Sequence, residues 1–244
     1  MFTNCINLAS VPALSLNGIT SSANFTTPFN GCSALVTIAM TGYRYTFTVS
    51  ACKLSKAALE LLFANMSPVT AQSVTITTNP GADTAVSKTT CGTVAGSTTV
   101  TQTNTSSILI GMVATGIGTP LTSAVSCTFT AGTNLVTAAA HGLANGDAIA
   151  FATIVTTIGI ATNVVYYVVN ATTNTFQVAT TVGGNAVAFT TGTGTFKYRA
   201  KVVSIVANTS ITFDRPMSAT GSNTLTFRNL DTSQALLKGW TVTG

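Results

Sequence analysis

Few residues in this sequence could do chemistry. The single histidine is His141, and the carboxylates are Glu60, Asp83, Asp147, Asp214 and Asp231. A catalytic histidine needs a nucleophile and an orienting acid within hydrogen-bond reach. Asp147 lies six residues on, across Asn145-Gly146, a dipeptide typical of hairpin turns. The simpler role for Asp147 is to hold that turn, and for His141 to bond locally at the end of a strand. A glycosidase would need two carboxylates about 5–10 Å apart. Glu60, Asp147 and Asp214 fall in three different modules of the organisation given below, so two of them could pair only across a module interface. Gly116-Ile-Gly118 and Gly192-Thr-Gly194 lack the third glycine and the Gly-Lys-Ser/Thr ending of a phosphate loop, so they read as turns with close backbone approach.

Other reactive types give no stronger signal. Cys5, Cys32, Cys52, Cys91 and Cys127 contain no CxxC, which points to reduced, partly buried thiols rather than a zinc site. Lys197, Arg199 and Lys201 alternate, so they are expected on one solvated strand face. That is too little basic density for nucleic acid. Tyr43-Arg44-Tyr45 could form a contact patch, but Tyr43, Tyr45 and Phe47 share a parity that fits core packing. The sequence therefore assigns no catalytic, cofactor-binding or metal-ligating residue, and it leaves any binding residues unidentified.

The elements that would position these residues follow from composition. Charged residues are 6% of the 244, and threonine alone is about a fifth. Ordinary domains carry about 25% charge. Stiff, β-branched, uncharged side chains suit pleated sheets better than an α-helical enzyme. The net charge of +5 is a surplus without a cluster. Met1-Phe2-Thr3-Asn4 shows no basic segment of the kind that opens a secretory leader. The uncharged run Ala148 to Val169 is rich in threonine and β-branched residues, which predicts strands and a turn rather than a membrane span.

The first ninety residues repeat. Phe2, Cys5, Leu8 and Val11 recur as Phe29, Cys32, Leu35 and Ile38 at an offset of 27, with a degenerate third copy at Cys52-Lys-Leu54. Such a period marks a solenoid, in which stacked copies bury what one copy cannot. Tyr43 to Val49 alternates as a strand. Ser55 should cap a helix from Lys56 to about Met66, with Leu54, Ala58, Leu61 and Leu62 inward. A strand at Val74-Thr-Ile76 and a turn from Asn79 to Asp83 follow. Near the end, Asp231 and Gln234 suggest a capping box, Leu236 and Leu237 an inward helix face, Gly239 a helix stop, and Trp240 and Val242 a strand.

The Phe-x-x-Cys-x-x-Leu copies, the stretch Lys53 to Asn65 and the stretch Val74 to Ala82 resemble BspA-type leucine-rich repeats of bacteriophage virion proteins and some bacterial surface proteins. The resemblance implies that the last repeat closes with a short helix and a strand like Lys238-Gly-Trp-Thr-Val-Thr-Gly244. That ending arrives about 150 residues late, so an insertion is expected between. Gly96 to Thr101 and Ile108 to Pro120 resemble the opening of a small β-module of phage tail and fibre proteins. Its continuation is Ala200 to Phe213 and Ala219 to Phe227. Between these halves, His141-Gly-Leu-Ala-Asn-Gly-Asp147, Tyr166 to Asn170, Asn174 to Val178 and Gly192 to Phe196 resemble a second β-module of phage virion proteins.

The expected fold is mainly β: a short leucine-rich-repeat-like α/β unit with two nested small β-barrel or sandwich modules inserted. The repeat unit is 1–88 completed by 229–244, the outer module 89–123 completed by 200–228, and the inner module 124–199. The resemblance implies a non-enzymatic virion structural protein, in the tail fibre, the baseplate or a capsid decoration, acting in assembly and surface display. Its partners would be other virion proteins and further copies of itself, with no nucleic acid, membrane or cofactor. A glycan-binding adhesin and a tail-associated polysaccharide hydrolase are the alternatives.

Overall fold

The computed structural model describes residues 2–19, 21 and 26–244; Met1, which opens the segment Met1-Phe2-Thr3-Asn4 read above, lies outside them. The chain is mainly β and divides into two compact units. One comprises residues 1–84 with 230–244, and the other residues 85–229.

The first unit is a parallel stack. Ser10–Val11 pairs with Thr37–Ile38, and Phe47–Thr48 pairs with Gln72–Thr75, both at an offset of 27. Trp240–Thr243 lies parallel on the other side of Gln72–Thr75. The corners of the stack are single left-handed residues at Asn4, Gly31, Ala51 and Thr78. The residues just after these corners are Cys5, Cys32, Cys52 and Asn79. Asn79 is buried where the other rungs hold a thiol. Its amide donates to the Val49 and Ile76 carbonyls and accepts from the Leu54 N–H, so three backbone groups are satisfied at once.

The helix forms at Lys56–Asn65, where the Ser55 hydroxyl accepts from the Ala58 N–H at 3.2 Å. Its buried face is Ala58, Leu59, Leu62 and Phe63. Leu61, expected inward, is 44% exposed. The inward stripe is turned by about one position, because Phe63 is the larger apolar group and takes the core side. The expected strand over 43–49 is ladder-paired only at Phe47–Thr48, although Tyr43, Phe47 and Val49 are all buried. The expected capping box has a different partner on its backbone side. Asp231 accepts from the Ser233 N–H at 3.0 Å, but the Asp231 N–H goes to Glu60 Oε1 at 2.9 Å, a carboxylate from the first helix. The short helix is Ser233–Leu237, with Ala235 and Leu237 buried and Leu236 only half-buried.

Lys238 and Trp240 tie this ending to the helix. Lys238 is 8% exposed, and its ammonium donates to the Phe63 and Ala64 carbonyls at 3.3 and 2.5 Å. These are the last-turn carbonyls that a helix cannot satisfy itself. Trp240 donates from Nε1 to the Ser67 carbonyl at 2.8 Å, and its ring packs against Tyr43 and Phe47.

The second unit is antiparallel. Six strands close a barrel in the order Ala148–Val155, Val165–Val169, Thr175–Ala179, Leu135–Thr137, Val125–Thr130 and Gly192–Tyr198. Its interior is aromatic, with Phe129, Phe151, Phe176, Phe196 and Tyr198 in edge or stacked contact. A six-stranded sheet runs Val202–Val206, Ser210–Phe213, Thr99–Thr101, Val86–Thr93, Gly221–Arg228 and Val113–Thr115. Backbone bonds from Gly111 to Val202 and from Val202 to Met112 bring its two end strands together. The run Ala148 to Val169 is two barrel strands and their connection, and no helix among the described residues is long and apolar enough to cross a membrane.

Candidate functional site

The residues with the most chemical potential meet in the second unit, around the segment His141–Asp147. His141 is 2% exposed and lies edge-on to Phe176 in the barrel core. Its Nδ1 accepts from the Leu143 N–H at 3.0 Å, which leaves the proton on Nε2. Burial lowers its pKa from the ordinary value, opposed by the Thr175 carbonyl and the Asp147 charge. Asp147 accepts from the Ala144 N–H at 2.8 Å and so closes the turn. It is also gripped by Arg215 in a two-pronged pair, Nε to Oδ2 at 2.6 Å and Nη2 to Oδ1 at 2.8 Å.

Sequence reasoning missed Arg215. It sits 68 residues from Asp147, and pattern alone offers no signal beyond both being charges in sparsely charged sequence. Around this pair the segment packs tightly. A side chain at Gly142 would lie 2.6 Å from Pro216 Cδ, so only glycine fits there. The Tyr198 hydroxyl donates to the Pro216 carbonyl at 3.3 Å. The arrangement is a clasp: a turn, an ion pair and a proline held face to face. It has no nucleophile placed at His141 among the described contacts, and the carboxylate that would orient His141 is already committed to Arg215.

The other carboxylates are engaged elsewhere. Asp214 accepts from the Lys201 N–H at 2.7 Å. Glu60 belongs to the first unit and pairs with Lys56 at 2.7 Å. No group of three or more His, Cys, Asp or Glu side chains suited to a metal occurs among the described residues. Tyr43 is buried in the first unit's core, while Arg44 is exposed and reaches the Asn17 carbonyl. The basic triad does not share one strand. Lys197 is the next-to-last residue of the barrel strand Gly192–Tyr198, and Lys201 bridges to Val113 just before Val202–Val206. The chain changes sheet between them, so their common face is lost. Gly192 and Gly194 lie within a strand rather than a turn. A side chain at Gly194 would meet the Thr153 carbonyl at 2.4 Å, beside the bulge between Phe151 and Thr153. Gly116 does sit at a turn, with φ +122°.

The barrel's outer face carries hydroxyl rows. Thr153, Thr195 and Ser126 are direct cross-strand neighbours, as are Thr193, Thr128 and Thr137. Thr153 and Thr195 hydroxyls bond at 2.9 Å. Together with Ala138, Ala139 and Val155 they border an open depression of about 510 Å³. Its lining holds no Asp, Glu, His, Lys or Arg. Cys127 contributes from a strand, and its thiol faces the core, where burial pushes it up to about 12.

No protein-family model, no curated protein and no solved structure matches this chain.

Proposed function

We propose that this chain is a non-enzymatic structural component of a bacteriophage virion, working in tail, baseplate or capsid-surface assembly as a homo-oligomer. In this reading, residues 1–84 and 230–244 are a short leucine-rich-repeat-like unit of BspA type. The tail- and fibre-type modules are nested within its last repeat.

The observation that carries the reading is the surface of the second unit. From residue 89 to residue 196 the only charged residue is Asp147. Val94, Leu109, Ile110, Ile117, Val155, Ile158 and Val182 in this stretch are nonetheless exposed. Free-standing domains keep about 25–35% charge on their surface and keep apolar patches small. A surface without lysine or glutamate avoids their desolvation cost at a permanent interface, so it suits packing against other subunits. The 27-residue rungs of the first unit support the repeat assignment.

The test is composition of purified particles. Mass spectrometry should find the chain in fixed stoichiometry, and a reconstruction should place it at a symmetric position. Absence from purified particles overturns the proposal. The hydroxyl-lined depression favours the glycan-binding alternative as a second reading, with a host-surface glycan as partner. Saturable binding on a glycan array, lost in Thr195→Val, would support it. Nothing in the arrangement of His141, Asp147, Asp214 and Glu60 favours the hydrolase alternative.

A further inference from the structure

The thiols of the first unit form a column along the corners of the stack. Cys5 and Cys32 occupy the same position in successive rungs, each just after a left-handed corner. The local hydrogen bonds are the same in both. The Cys5 N–H donates to Phe2 and the Leu8 N–H to Cys5, while the Cys32 N–H donates to Phe29 and the Leu35 N–H to Cys32. The rungs are locked in register here, because the Asn4 N–H reaches the Asn30 carbonyl at 2.8 Å and the Phe2 and Phe29 rings stack at 5.7 Å. The rungs pair as strands at Ser10–Val11 and Thr37–Ile38, where the spacing is about 4.8 Å. The Asn4 to Asn30 bond carries the same register to the corner, so a Cα separation within the range of about 4.4–6.8 Å for a disulfide is expected there.

Direction matters as much as distance. The Cys32 side chain leans toward the first rung, where its thiol donates to the Phe2 carbonyl, the same oxygen that accepts from the Cys5 N–H. Burial raises the Cys32 thiol from its ordinary value, and the nearby Cys5 contributes to the rise. Cys5 is half-buried and open to a reagent, whereas Cys32 and Cys52 are buried. Cys52 repeats this contact one rung on, its thiol donating at 3.1 Å to the Phe29 carbonyl that also accepts from the Cys32 N–H, so what sets the Cys5–Cys32 pair apart is that Cys5 alone of the three is partly exposed.

We propose that Cys5 and Cys32 are a latent cross-link, closed to a disulfide when the protein meets an oxidising medium such as one buffered by oxidised glutathione. The Cys5 thiolate attacks a glutathione disulfide, its S–S bond breaks, and one reduced glutathione leaves. Cys32, having lost its proton, then attacks the Cys5 sulfur of the mixed disulfide and releases the second. Two thiols are oxidised, one disulfide is reduced, and two protons pass to the two glutathione thiols. The cross-link would fasten the first rung, which has neighbours on one side only among the described residues, to the body of the stack.

The full chain is incubated with oxidised glutathione, denatured, and its free thiols counted by maleimide mass shift. Two of the five thiols should disappear, peptide mapping should recover a Cys5–Cys32 link, and the first unit's melting point should rise by about 4 °C or more. Dithiothreitol should reverse both changes. Cys5→Ser should keep all four remaining thiols and show no rise, while Cys52→Ser should still form the link. A stable glutathione adduct on Cys5 alone, a Cys32–Cys52 link, or five thiols surviving in a protein folded by circular dichroism each overturns the proposal. None of these outcomes bears on particle location, so the proposed function stands or falls separately.

Discussion

The two units bury their backbones by opposite means. In the first, strands run parallel and residue i meets residue i+27, so each position faces its own copy. In the second, strands run antiparallel, and a barrel and a sheet are closed by residues with no kinship in sequence, such as Ile149 with Tyr198. The stack has ends, and it meets them with polar groups placed inside: Asn79 at a corner and Lys238 under a helix terminus. The barrel has no ends and needs one internal polar residue, His141, with a clasp outside it. A repeating architecture tolerates interruption between rungs, whereas a closed barrel tolerates almost none, because every strand has two neighbours.

Excision separates the two architectures most sharply. The Leu230 N–H donates to Asp83 Oδ2 at 3.1 Å, so residues 84 and 230 are close enough for a short glycine link. A chain of 1–84, glycine link and 230–244 should stay soluble with a cooperative melt, and 85–229 alone should also fold. Loss of structure in the first fragment would show that the stack depends on its insert. Within the stack, Trp240→Ala should cost about 3–5 kcal/mol by chemical denaturation, since the ring is buried against Tyr43 and Phe47. The second unit's transition should not move. Equal shifts in both would dissolve the distinction.

Legibility followed the same divide. The rung period, the Ser55 cap and the Trp240 strand were readable because repetition and capping are local signals. Asn79 was not, since an asparagine before proline reads as a turn residue and its ladder role appears only when rungs stack. Leu61 misled because 3.6-residue periodicity leaves one position of freedom in a ten-residue helix. The Asp231 N–H goes to Glu60 from 171 residues away, beyond any local rule. In the second unit the segment His141–Asp147 was legible as a turn, but Arg215 was not. Antiparallel closure pairs residues by topology, which spacing does not encode.

The clasp offers the next largest effect. Asp147 and Arg215 side chains are 24% and 20% exposed, so their pair is partly screened. Asp147→Asn should destabilise the second unit by about 1–2 kcal/mol, because one charge is left half-buried. A double-mutant cycle with Arg215→Met should give a coupling energy well above zero. Additive losses would mean the clasp is held by Gly142 against Pro216 alone.

Each unit also hides one base, and the two should answer pH in different windows. Desolvation lowers Lys238 to about 8 from 10.5. Between those values the unfolded chain binds more protons than the folded one, so stability rises with pH. From pH 8 to 9 the first unit should gain about 1 kcal/mol, and Lys238→Met should remove the slope. Above pH 9 the buried Cys52 thiol, pushed up to about 11, acts in the opposite sense and confines the reading to that interval.

His141 gives the smallest and most local signal. Burial lowers its pKa, so below its ordinary value of 6.5 the unfolded chain takes up a proton that the folded barrel resists. The second unit should therefore lose stability as pH falls through 6.5 and below, while the first unit, with no histidine, should lack this component. His141→Gln should flatten the second unit's profile in that window, because glutamine can still accept from the Leu143 N–H but cannot titrate. The carboxylates complicate the range below pH 5, so the comparison rests on pH 7 to 5.5. An unchanged slope in His141→Gln would mean that the histidine ionises in place and that the Thr175 carbonyl and Asp147 compensate its burial. The barrel would then resemble the stack, which places a charged amine beneath its helix end and satisfies it with carbonyls.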